Sequence, residues 1–385
     1  EISSRRSSQS LQSWLGRINY SYADRYLLTA TVRADGSSRF AAGKKWGTFP
    51  SLAVAWRLSE EPFFKNAIGG SVNDLKLRGS WGEVGNPSIR PYQSLARLND
   101  QGYSFGGTPY SGYYPTSVAN SDLTWETTAQ TDVGVDIAFL NRFNLTADWY
   151  YKKTTDLLLL VQLPLETGFE TALANRGSLE NKGIELGLEA RILNPAGPAG
   201  FSWRANLNFA RNRNEVLDLG GPLSIFADLI TQDFNLPGTM IEVGKPIGRF
   251  FGFQSLGVLR DSAAAPLITH SNFGGHPYTA GDMLIADICC ARDENGEIIG
   301  DAQGRPMMEP DGLTTLDDRT DIGDPTPDFT IGLTNTFAYG SFELTGLLQG
   351  SFGGKILNVN RIRTESSPRV NISRERYENA WRPDN

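Results

Sequence analysis

The stretch "RFNLTADWYYKKTTD", residues 142–156, decides the fold. Side chains alternate along a strand with a period of two. Phe143, Leu145, Ala147, Trp149 and Tyr151 therefore share one face, and Asn144, Thr146, Asp148 and Tyr150 the other. The apolar face ends in aromatics and gives way to Lys152, Lys153, Thr154 and Thr155. A soluble sheet buries such a face under a second layer, whereas a membrane-spanning strand turns it toward lipid.

The same alternation recurs outward from this stretch. Tyr26, Leu28, Ala30 and Val32 oppose Leu27, Thr29, Thr31 and Arg33. Val133, Val135, Ile137 and Phe139 oppose Asp132, Gly134 and Asp136, and Ile184, Leu186, Leu188 and Ala190 oppose Glu185, Gly187, Glu189 and Arg191. Similar runs surround Leu77, Leu207, Ile331 and Leu344. Each run is about 9–13 residues, long for a soluble strand and sufficient for a tilted strand to cross a bilayer.

The connections separate the two readings. Short or moderate links at 23–25, 59–72, 140–142, 194–200 and 339–341 alternate with long ones at 35–48, 83–123, 153–180 and 214–326. A sandwich has no reason to place every long loop at one end. An up-and-down outer-membrane barrel does, with short turns on the periplasmic side and long loops outside. The expected fold is therefore all-β, a transmembrane antiparallel up-and-down barrel. About ten strands are legible, and because an open sheet edge is forbidden in lipid they belong to a larger barrel.

Composition agrees. Of 385 residues 41 are Gly and 11% are aromatic, as in a β-rich chain with many turns. The longest apolar run, "LLLLV" at 157–161, is far short of the roughly 18 residues of a membrane helix. A net charge of −7 argues against a nucleic-acid partner. Residues 291–328 hold eleven acids against three arginines, so the acidity is concentrated there. Cys289 and Cys290 are adjacent, and are either two small loop residues or a vicinal disulfide; two neighbours make no zinc site.

These segments resemble the C-terminal barrel region of SusC/RagA-type TonB-linked outer-membrane transporters. The likeness runs through "WLGRINYSYADRYLLTATVRADGSSRF", "WGTFPSLAVAWRLSEEPFF" and "VNDLKLRGSWGEVGNPSIRPYQ". It continues in "NSDLTWETTAQTDVGVDIAFLNRFNLTADWYYKKTTDLLL", "NRGSLENKGIELGLEA" and "DDRTDIGDPTPDFTIGLTNTFAYGSFELTGLLQGSFGGKILN". The resemblance implies a barrel of about 22 strands, filled by a plug and located in the bacterial outer membrane. It implies import of oligosaccharides or peptides energised through TonB, with a SusD-like surface lipoprotein as lid. The whole of 1–385 is then one partial barrel domain, carrying a long acidic extracellular loop within 214–326. The plug, the TonB-contacting segment, the early strands and the last strands are expected outside it. The alternatives are a non-transporting outer-membrane surface binding or adhesion β-protein, and a passive porin.

Three stretches are candidate sites. "QGYSFGGTPYSGYYP", 101–115, sets Tyr103, Phe105, Tyr110, Tyr113 and Tyr114 among glycines, flat faces for sugar rings or for the lid. The resemblance places a calcium-type D-x-N-G-D-G loop before "DDRT"; here the stretch is "MMEPDGLTTLDDRT". Glu309, Asp311 and Asp318 keep loop-like spacing as candidate calcium ligands, but Met307, a poor ligand for a hard cation, stands at the first position. Lumen-facing polar residues, among them Asp132, Asp136, Asn144, Asp148, Glu185, Glu189, Asn206 and Asn208, hydrate the interior or line a path.

No enzyme is expected. Gly102-Tyr103-Ser104-Phe105-Gly106 formally matches the serine-hydrolase elbow, but that motif needs a strand-to-helix turn and a positioned His. It lies in a Gly/Tyr loop, and the chain has only His270 and His276. Carboxylates at i, i+4 on a strand stand about 13 Å apart, too far for glycosidase chemistry.

Overall fold

The computed structural model describes residues 6–68, 71–194, 200–229, 237–261, 269–270, 276–294, 297–301, 306–366 and 372–382. The alternating runs form ten strands: β1 (Leu11–Tyr22), β2 (Tyr26–Ser37), β3 (Trp46–Arg57), β4 (Val72–Asn86), β5 (Glu126–Phe139), β6 (Phe143–Thr155), β7 (Ser178–Leu193), β8 (Phe201–Asp218), β9 (Phe329–Tyr339) and β10 (Phe342–Phe352). They join in chain order into one sheet, and every neighbouring pair is antiparallel. At 11 to 18 residues each, all ten are long enough to cross a bilayer at a tilt.

The short links are tight because their residues accept unusual backbone angles. Ala23 and Asp24 (φ 54° and 53°) close β1 onto β2, and Leu140 and Asn141 (both φ 54°) close β5 onto β6. These left-handed pairs are the centres of type I′ turns, closed by the Arg25 amide on the Tyr22 carbonyl and the Arg142 amide on the Phe139 carbonyl within three-residue links. A 3-10 turn (Leu58–Glu60) and a helix (Pro62–Ile68) join β3 to β4. The expected turn at 194–200 lies largely outside the described residues. The long links carry structure of their own. Hairpins Arg97–Phe105/Thr108–Ser117 and Leu158–Gln162/Thr171–Asn175 rise between β4 and β5 and between β6 and β7.

The register keeps one parity across the sheet. Leu28, Val54, Leu77, Val135, Ala147, Leu186, Leu207, Leu333 and Leu348 lie on one face. Thr29, Ala53, Arg78, Gly134, Asp148, Glu185, Asn208, Gly332 and Gln349 lie on the other. On the apolar face Val54 is 50% exposed, Val133 55% and Leu348 67%, a continuous uncovered surface that a water-soluble sheet would not present. Aromatics ring both its ends. Tyr22–Tyr26–Trp56, Phe139–Phe143 and Trp203–Phe337 stack at the short-turn end, and Phe209–Phe329–Phe352 at the loop end. Trp46 and Trp56, ten residues apart on β3, are separated by about 33 Å of strand, or about 25 Å of depth at a 40° tilt, the height of a lipid-facing band. Among the described residues β1 pairs only with β2 and β10 only with β9. In lipid both edges need further strands, so the sheet is a sector of a larger wall.

The chain divides into two compact units, Glu1–Pro222 with Asp328–Phe352, and Leu223–Pro327 with Gly353–Asn385. The first is the wall and its shorter loops. The second contains a four-stranded sheet of Ser224–Leu229, Pro237–Glu242, Arg249–Phe253 and Arg319–Gly323. There the Arg319 guanidinium lies 5.3 Å from the ring centroids of both Phe226 and Phe251. No helix among the described residues is long and apolar enough to cross a membrane.

Candidate functional site

The wet face of the wall carries an ordered charge network at β4–β6. Arg78 donates through Nε and Nη2 to the two oxygens of Asp136, both at 2.9 Å, and its Nη2 lies 2.9 Å from Asp148. Lys76 closes the group at 2.8 Å from Asp136. Two cations thus balance two carboxylates in a bidentate arrangement, the stronger kind of ion pair. Gly134 sits beneath: a Cβ there would crowd Asp148 Oδ1 and come within 2.9 Å of Arg78 Nη2, so any larger residue would have to displace the ends of this pair. Ser80 and Gln130 donate to Asp132 in the same sector.

At the short-turn end Glu61 gathers the aromatic ring. Its Oε1 accepts from Tyr26 (2.7 Å) and from the Trp56 indole (3.1 Å), and its Oε2 from Arg25 (3.3 Å). The Tyr26 and Trp56 hydrogen bonds hold this carboxyl below its ordinary value of 4.5. A depressed carboxylate stabilises the fold above its unfolded pKa. Its contribution therefore begins to fade below about pH 4.5 and is gone once pH passes the lowered folded value. Glu61→Gln removes that step, so the acid unfolding profile of the variant is flatter below about pH 4.5 than that of the native chain.

At the loop end the wet-face residue Phe49 meets Phe40, Ile89, Leu123 and Trp125 in a buried cluster, with Leu158 and Leu173 against it. Three separate long connections thus share one core. The aromatic stretch expected at 101–115 is one such loop, folded as a hairpin. Tyr103 pairs with Tyr110, Asn99 with Tyr114 and Phe105 with Thr108, so Tyr103, Phe105, Tyr110 and Tyr114 fall on one face and Tyr113 on the other. Tyr103 and Tyr110 stack at 5.8 Å. All five are open, from 43% exposed at Tyr114 to 75% at Phe105 and Tyr113. Ser104 lies opposite Pro109 at the tip of a β-hairpin, not at a strand-to-helix turn, so the elbow geometry is absent.

Two of the three candidate calcium ligands, Asp318 and Asp311, have other partners. Asp318 is fully buried; its Oδ1 accepts from the Ile288 and Cys289 amides (2.8 and 3.0 Å) and its Oδ2 from the Thr315 amide (2.6 Å). Asp311 accepts from Arg292 Nε at 2.7 Å and from the Leu313 amide at 2.9 Å. Glu309 is exposed. Among the described residues no three His, Cys, Asp or Glu are placed to hold a metal ion. Carboxylates aimed at N–H donors do not fit a hard cation, and calcium enters no step below. Asp318→Asn turns an amide group against a backbone donor and is expected to weaken this segment by about 1–3 kcal/mol. Faster hydrogen exchange at Ile288 and Thr315 reads it directly. Cys289 and Cys290, both buried, form a vicinal disulfide, the second of the two sequence readings.

Sequence reading named Asn206 and Asn208 of β8 but not Asn212 or the charge pairing of Arg78. Asn212 accepts from Tyr150 (2.9 Å) and donates to Asn181 (3.1 Å), bracing β6 to β8 across β7.

Comparison with known proteins gives one consistent family. The model of the TonB dependent receptor-like β-barrel matches residues 3–250. TonB-dependent receptor P3 of Formosa agariphila is 36% identical over 97% of this chain and 35% of its own length. TonB-dependent receptor SusC of Bacteroides thetaiotaomicron is 33% identical over 90% of this chain and 31% of its own length. The chain thus spans about a third of the length of these curated relatives. Among solved structures, that of the RagAB peptide transporter superposes with a TM-score of 0.73 at 23% identity, over 98% of this chain and 37% of that one, a likeness of fold.

Proposed function

The chain belongs to the TonB-dependent receptor β-barrel family, receptors and transporters of the outer membrane rather than enzymes, and on that premise we propose that it builds part of the wall of an energised importer. The cargo is oligosaccharide or peptide, too large for a passive pore. TonB supplies the energy through a plug, and a SusD-like surface lipoprotein closes the mouth above the long loops. The observation that carries this reading is the unbroken parity of ten long strands, with one face apolar and the other wet. A wall of that kind separates lipid from a hydrated passage.

The aromatic face of the 97–117 hairpin is the proposed contact for ligand or lid, since flat exposed rings suit sugar faces and protein partners alike. Its two-sidedness supplies a control. Replacing Tyr110 and Tyr114 by Ala weakens capture, whereas Tyr113→Ala, on the opposite face, leaves it unchanged. Equal losses at both faces contradict the assignment.

Uptake by the full-length protein in the outer membrane tests the function itself. Labelled oligosaccharide and peptide pools are offered with TonB present and depleted. Accumulation that requires TonB is expected. TonB-independent conductance identifies a porin, and binding without accumulation identifies a surface receptor or adhesin.

A further inference from the structure

The wet face is not uniform in how its polar groups are paired. In β4–β6 its polar groups satisfy one another: Lys76 and Arg78 with Asp136 and Asp148, Ser80 and Gln130 with Asp132, and Thr128 with Thr154. In β7–β10 one row runs across the strands at a single level, Gly187 beside Asn208, Asn208 beside Gly332, and Gly332 beside Gln349. This row alternates bare backbone with primary amides. A Cβ added at Gly332 would meet nothing within 4 Å, and one at Gly187 only the Asn208 amide oxygen at 3.9 Å. The glycines therefore open a bay of about 600 Å³, also lined by Glu185 and Thr330. That volume lies within the usual range for ligand sites. Asn208, Gln349 and Glu185 are all exposed on this face.

We propose that this bay is a contact surface for uncharged oligosaccharide during its passage, with Asn208 and Gln349 as donors and acceptors to sugar hydroxyls and Glu185 as an acceptor. The proposal rests on the import reading and narrows its substrate class. Amides serve hydroxyl groups in both directions, as donor and acceptor. The glycine floor lets a bulky ring approach the backbone. The carboxylates are the reason to exclude a polyanionic glycan: Asp148 is already held by Arg78, and Glu185 adds a negative charge that the bay's other lining residues do not balance. Peptides, whose charged side chains and termini need counter-charges, find few on this row.

The test uses full-length protein in the outer membrane, with three probes: a pool of neutral oligosaccharides, a sulfated pool of matched length, and a tryptic peptide pool. Two variants are compared with the native chain, Gly332→Trp, which fills the bay, and Asn208→Ala/Gln349→Ala, which removes its amides. Heat-modifiable migration on gels and resistance of the plug to protease report the folded state of each. The native protein is expected to import the neutral pool and reject the sulfated one. Gly332→Trp is expected to lower neutral uptake at least tenfold. The double variant is expected to raise the concentration for half-maximal uptake by about tenfold, as for two lost hydrogen bonds, with folded-state signatures unchanged. Unaltered neutral uptake in both variants overturns the proposal. So does a protease-sensitive plug, which makes the row a seat for the plug. Import of peptides alone, still dependent on TonB, overturns this inference and leaves the import reading standing. Import of none of the pools removes both.

Discussion

Ala147→Arg destabilises the assembled barrel by about 2–4 kcal/mol, while Thr146→Arg, one residue away, changes stability by less than about 1 kcal/mol. The difference follows from parity. Ala147 pairs with Val135 and Leu186, midway between the aromatic ends Phe143 and Tyr151 of β6. A guanidinium there lies at the centre of the lipid-facing band, where no water solvates it. Thr146 pairs with Asp136 and Gly187 on the wet face. An arginine at that position has carboxylates beside it and open space over the glycine. Urea unfolding of the full-length protein in lipid vesicles measures both. Equal effects mean that the two faces do not see different solvents.

Trp125→Ala costs about 3–5 kcal/mol, the usual range for deleting a buried aromatic. Trp125 is 5% exposed and lies between Phe40 (5.4 Å) and Phe49 (5.6 Å). Its indole donates to the Lys45 carbonyl at 3.1 Å. The cluster ties together the connections around 40, 89 and 123 and the hairpin at 158–175. Its loss therefore frees several loops at once, and protease cutting within them reports the change. Gly85→Ala acts on the same core from below, because a Cβ there would overlap the Phe49 ring. The two substitutions share a partner, so their combined cost falls short of the sum of the single costs.

The strands, the turns and the sidedness of the loops were legible because their signals are local. Alternation such as that of Phe143 to Tyr151 is written residue by residue, and the short links at 23–25 and 140–142 are tight in the structure as expected. The hairpin at 97–117 was not legible as strands. Its Gly, Ser and Tyr residues show no apolar–polar alternation, and its pairing depends on cross-strand contacts such as Tyr103 with Tyr110. The loop-end core was hidden for a similar reason. Phe40, Phe49, Ile89, Leu123 and Trp125 are distant in sequence, and Phe49 breaks the alternation by standing on the wet face. The acidic stretch suggested a cation site through the family resemblance and the loop-like spacing of Glu309, Asp311 and Asp318. Folding instead aims Asp318 at three backbone amides and Asp311 at Arg292, which spacing does not reveal.

The most direct test of the account is a solvent-accessibility scan of residues 143–151 in the full-length protein in lipid vesicles, using single cysteines carrying a nitroxide label. A lipid-soluble relaxant is expected to reach positions 143, 145, 147, 149 and 151 and to spare 144, 146, 148 and 150, a period of two along β6. Accessibility that shows no alternation, or that favours the even positions, contradicts the membrane wall on which the whole reading stands.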